Sequence, residues 1–89
     1  MKYVPLTDCH LHFLKSAVRA ELPNVGYTHI SEALAAALGF KRESLLLIEM
    51  ERVAYRPPCL ELNDERFCEK LEQLGYDGYQ YFSFENLDF

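Results

Sequence analysis

Apolar residues recur along this chain at spacings that name its elements one after another. Leu11, Leu14, Val18 and Leu22 are separated by three, four and four positions, which places all four on one face of an α-helix. Thr7 or Asp8 supplies the N-cap oxygen, and Pro23 ends the helix because its ring disfavours helical geometry at Leu22. A second stripe, Ile30, Leu34, Ala37 and Leu38, runs through the alanine-rich stretch around Ala33, Ala35 and Ala36, where helix propensity is high. Gly39 stops this helix, since glycine best tolerates the left-handed conformation past a helix end. Lys41-Arg42-Glu43-Ser44 opens a third helix that continues through Leu45 to Ile48. Asn63 or Asp64 caps a fourth, with Phe67, Leu71 and Leu74 on one face and Gly75 closing it.

The segments between these helices are short. Met1 to Leu6 is an apolar lead-in that reads as a strand interrupted by Pro5, and Asn24 to Tyr27 reads as a turn. Pro57 and Pro58 forbid helix, and Cys59 to Leu62 reads as a short edge strand. Asp77-Gly78 is a hairpin-type turn signal, and the aromatic run Tyr79 to Phe84 has the strongest strand composition in the chain. The prediction is an α+β fold, mostly α: a helical hairpin plus two further helices, with a small β element near the termini or around Cys59. No repeat or linker divides residues 1–89, so they read as a single small globular domain. A (β/α)₈ barrel at ~250 residues and a full doubly wound nucleotide-binding domain are both too long.

Charge narrows the partners. Nine basic residues against fourteen acidic ones give a net −5, whereas nucleic-acid binders gain most of their affinity by neutralising phosphates with a basic surface. The acid is concentrated late, at Glu61, Asp64, Glu65, Glu69, Glu72, Asp77, Glu85 and Asp88. Lys15, Arg19, Lys41, Arg42, Arg52 and Arg56 precede the double proline. This polarity suits an acidic face that docks on a basic partner, or equally two ordinary solvated helix faces. Cys9, Cys59 and Cys68 make an odd number of thiols. The first residues contain no apolar signal region, and no run reaches the ~18 apolar residues that span a bilayer. A cytoplasmic protein with reduced thiols and no membrane association is the expectation.

Ser31 to Met50 resembles the helix–turn–helix element of bacterial regulators. The family pattern has a small residue where the helices cross, here Ala35, and a glycine at the sharp turn, here Gly39. Apolar residues at Leu34, Leu38, Phe40, Leu45 and Ile48 would hold the two helices together. The resemblance implies a second helix whose outward positions are Lys41, Arg42, Glu43, Leu46, Leu47 and Met50. Lys41 and Arg42 suit phosphates. Leu46, Leu47 and Met50 depart from the family, because base edges call for hydrogen-bonding side chains and these three offer none. They more naturally meet protein.

Two constellations suggest chemistry. Asp8-Cys9-His10-Leu11-His12 resembles the His-x-His opening of metal-dependent amidohydrolases, but those barrels need a longer chain and further ligands. Cys9, Cys59, Cys68 and a histidine suffice by count for a zinc site, yet no Cys-x-x-Cys pair is present. The plainer reading makes Cys9 and Cys68 small buried hydrophobes and sets His10 and His12 beside a helix start. No phosphate-binding or nucleophile motif occurs, and the aromatic run lacks the cations that accompany base stacking. The expectation is therefore a non-enzymatic, cofactor-free protein-interaction module that self-associates as a homodimer. Its candidate face is Lys41, Arg42, Leu46, Leu47 and Met50. A helix–turn–helix DNA-binding regulator is the alternative reading, and a small metalloprotein or enzyme the third.

Overall fold

A computed structural model describes residues 2–87. Met1 of the predicted lead-in strand and Asp88 of the acidic series lie outside them. The chain order is β1 (Tyr3–Pro5), α1 (Asp8–Glu21), α2 (Tyr27–Ala37), α3 (Glu43–Arg52), β2 (Cys59–Glu61) and α4 (Asp64–Gln73), followed by a short 3-10 turn, Phe84–Asn86. The fold is α+β and mostly α. No helix among the described residues is long and apolar enough to cross a membrane.

Local chemistry sets the helix limits. Thr7 is the N-cap of α1: its hydroxyl oxygen accepts from the His10 backbone N–H at 3.2 Å and lies 2.7 Å from His10 Nδ1. The Asn63 side chain does the same for α4, accepting from the Arg66 N–H at 3.0 Å. Both α2 and α4 end in one motif. Past α2, Gly39 at φ +96° donates to the Ala36 carbonyl and Phe40 donates to that of Ala35. Past α4, Gly75, also at φ +96°, donates to Glu72, and Tyr76 donates to Leu71. These paired bonds are the Schellman arrangement, which needs a residue in the left-handed region and so favours glycine.

The strands pair antiparallel, with Val4 opposite Leu60. The pairing is prolonged at both ends, where Leu62 donates to the Lys2 carbonyl and Leu6 to that of Pro58. Tyr3 faces Glu61 across the pair, and a hydrogen bond to that carboxylate raises the Tyr3 phenol above its ordinary value. Val4 and Leu6 point into the core, where they join Leu14, Val18, Ile30, Leu34, Phe67, Leu71 and Phe84. α2 is the central helix and buries Ile30, Ala33, Leu34, Ala35 and Ala37. It packs against α1, α3 and, most extensively, α4. Near-continuous apolar character is what a helix with neighbours on several sides requires.

Tyr79 to Phe84 is not a strand. Phe82 and Phe84 instead close an aromatic cluster on Phe67 of α4, at ring-centre distances of 4.8 and 5.0 Å. The Asp64 carboxylate then takes the Phe84 N–H and the Ser83 hydroxyl, each at 3.0 Å. A carboxylate and a ring cluster thus satisfy a segment that its composition alone assigns to a ladder. Asp64, counted above with the acidic face, is engaged in this internal role.

Candidate functional site

The outer surface of α3 carries the largest concentration of predicted site residues, with one face turned from where the helix–turn–helix resemblance placed it. Leu46 was expected outward, but it is 2% exposed and belongs to the core. Leu45 and Ile48, expected to hold the helix pair together, are 42% and 63% exposed. Leu46, Met50 and Val53 stand at i, i+4 and i+7, one inward stripe, and that stripe turns Leu45 and Ile48 to solvent.

Leu47, 50% exposed, and the half-buried Met50 lie on the other flank. They line a groove of about 440 Å³ with Leu6, Thr7, Asp8 and Pro57. Lys41 and Arg42 are exposed in the turn before α3. The predicted set Lys41, Arg42, Leu46, Leu47 and Met50 is therefore divided between the core, this groove and the turn.

Ion pairs fix the helix from both ends. Lys15 of α1 reaches the Glu43 carboxylate at 3.4 Å and also stands 5.7 Å from the centre of the Tyr27 ring, with Arg19 at 5.1 Å. One cation group thereby ties α1, α2 and α3 together. The Arg52 guanidinium is bonded to both Glu49 carboxylate oxygens. That contact holds the Glu49 carboxyl below the usual carboxylate range and raises Arg52. Among the described residues, Lys41, Arg42 and Glu51 have no ion-pair partner.

A second feature lies where the α2–α3 turn meets α4. Lys41, Arg66 and Lys70 line an open cleft of about 340 Å³ together with Ala36, Gly39, Phe40, Glu69 and Gln73. Arg66 and Lys70 escaped the sequence reading. Their i, i+4 spacing on α4 was the available signal, but their meeting with Lys41 follows only from how α2 docks on α4.

The metal reading gains no geometry. Among the described residues no three His, Cys, Asp or Glu side chains are grouped so as to hold an ion. Cys9 is exposed rather than buried, because it sits in the first turn of α1 away from the Leu11–Leu14–Val18 face. Cys59 is also exposed, and Cys68 is half-buried with its thiol donating to the Tyr79 carbonyl at 3.0 Å. Burial, reinforced by Asp64 and Glu72, raises the Cys68 thiol above its ordinary value, which opposes formation of the nucleophilic thiolate. His29 Nδ1 lies 2.7 Å from the Tyr76 hydroxyl, which also accepts from the Gly26 N–H. That cluster fastens the start of α2 to the end of α4. No known protein family, curated protein or solved structure matches this chain.

Proposed function

We propose that this chain is a small protein-interaction module that self-associates through the outer flank of α3, with a second copy as the occupant. The observation that carries the reading is the exposed apolar pair Leu45 and Ile48, 42% and 63% exposed and adjacent on one flank of α3. Two copies of α3 packed antiparallel about a two-fold axis set Leu45 of each against Ile48 of the other. The arrangement covers the exposed apolar positions of both copies, as a self-complementary interface must. A DNA reader would present polar side chains on this flank, and Leu45 and Ile48 make it apolar. Three free thiols suit a reducing compartment, the cytoplasm.

Light scattering across the micromolar range tests the reading, with a mass twice the 10.4 kDa of the chain expected. Ile48→Glu should give the monomer with unchanged helical circular dichroism. Leu45→Glu should do the same, whereas Glu51→Arg, in the groove on the other flank, should leave the mass at the dimer. A wild-type chain that stays at 10.4 kDa throughout overturns the proposal.

A further inference from the structure

We propose that the cleft between the α2–α3 turn and α4 is a binding site for a small organic phosphate, held as a phosphate monoester by Lys41, Arg66 and Lys70. The three cations reach one cleft from two elements. None has a hydrogen-bond or ion-pair partner among the described residues, although the chain holds fourteen carboxylates against nine cations. Arg66 and Lys70 stand at i, i+4 on α4, a like-charge spacing that disfavours the helix. Glu69 is the one carboxylate of the lining, so a second anion is needed to balance the three cations.

A structural role for these cations would be to cap the carbonyl end of α2. That role is already filled. The Leu34 carbonyl accepts from Leu38, Ala35 from Phe40, Ala36 from Gly39, and Ala37 from the Asn63 N–H at 3.0 Å. The last four carbonyls of α2 therefore do not require these cations.

The site also fits the shape and charge of the ligand. A Cβ at Gly39 would stand 3.3 Å from Arg66 Nη1, so the absence of a side chain there lets the guanidinium lie close over the turn. A guanidinium fork in that position matches two phosphate oxygens at once. Glu69 is the carboxylate of the lining, and against three cations it leaves a formal surplus of two positive charges. A phosphate monoester carries about −1.5 to −2 at neutral pH. Phe40 and Ala36 supply an apolar wall for the organic part, and the Gln73 amide supplies a further donor. A volume of about 340 Å³ stands at the lower end of small-molecule sites. The net −5 of the chain argues against a polynucleotide as the source of the phosphate.

Titration of the full chain with phenyl phosphate, followed by amide NMR, tests the proposal. Saturable shifts centred on Gly39, Phe40, Lys41, Arg66 and Lys70 are expected, with inorganic phosphate binding the same residues more weakly. Arg66→Gln with Lys70→Gln should weaken binding at least tenfold while leaving the fold and the scattering mass unchanged, which separates this site from the α3 interface. Gly39→Ala should weaken binding several-fold by displacing Arg66, whereas Gly75→Ala should not. Affinity should fall as the phosphate takes up a proton below about pH 6. Non-saturating shifts, shifts spread over Lys15, Arg19 and Arg52, or equal binding by the double variant overturn the proposal. A DNA duplex that binds these residues more tightly than phenyl phosphate overturns it in favour of a nucleic-acid ligand.

Discussion

Alanine at Gly39 and at Gly75 should destabilise the protein by nearly equal amounts, for a reason the backbone states directly. Both glycines sit at φ +96° just past a helix end, and in both motifs two hydrogen bonds depend on that conformation. An L-residue held in the left-handed region costs about 1–2 kcal/mol. Part of that is offset because alanine also restricts the unfolded chain, leaving about 1 kcal/mol at each site. For a domain of this size 1 kcal/mol moves the melting temperature by roughly 4–8 °C. The surroundings differ: a Cβ at Gly75 meets nothing within 4 Å, whereas one at Gly39 meets Arg66 Nη1 at 3.3 Å. That neighbour is the far end of a flexible side chain and swings aside, so the steric part adds about 0.5 kcal/mol, the low end of the scale for a displaced rotamer. Gly39→Val should lose about 2–3 kcal/mol, because a β-branched side chain is a true outlier at positive φ. Thermal melts of the three variants followed by circular dichroism give the comparison. Gly39→Val melting with the wild type would refute the placement of the turn and the conformational argument behind it.

Other substitutions probe the core and its titrating groups. Phe67→Ala removes a fully buried ring and both of its aromatic contacts, and urea titration should show a loss of about 3–5 kcal/mol. Ser31 is buried with its hydroxyl lacking a partner among the described residues. Ser31→Ala should therefore stabilise the fold by about 1 kcal/mol in the same assay. A thiol reagent should modify exposed Cys9 and Cys59 quickly and Cys68 slowly, which mass spectrometry reads site by site. Folding raises the Cys68 thiol, so its contribution is fully present below the ordinary value of 9.0 and is lost as pH rises through the raised value. The wild type should accordingly lose stability relative to Cys68→Ala only in alkaline solution.

What could be read from the chain, and what could not, follows the range of the physics involved. The α1 stripe Leu11–Leu14–Val18, the cap at Asn63, the stops at Gly39 and Gly75 and the strand at Cys59 are local, set within a turn or two. The α3 face misled because four apolar residues in a row, Leu45 to Ile48, carry no phase of their own. Met50 and Val53 set it, one turn and two turns further on. Tyr79 to Phe84 has the residues of a strand but no neighbour to pair with, and Phe67 and Asp64 hold it instead. The cleft was beyond local reasoning altogether, since Lys41 meets Arg66 and Lys70 only once α2 lies on α4.

The two-stranded sheet carries a consequence for the order of folding. It joins Val4 to Leu60, so three of the four helices, α1 to α3, lie inside the loop it closes. Closing such a loop early is entropically unfavourable, and two strands of three residues return few hydrogen bonds for it. The helices therefore assemble first, and β1 docks last over a core already formed by α2 and α4. In the native state release of residues 2–6 should accordingly be the lowest opening, exposing Val4 and Leu6 while the helices stay packed. Hydrogen exchange should record it: the Leu6 and Leu62 amides, bonded across the sheet, should exchange well before those of Leu34 and Leu71 in the helical centre.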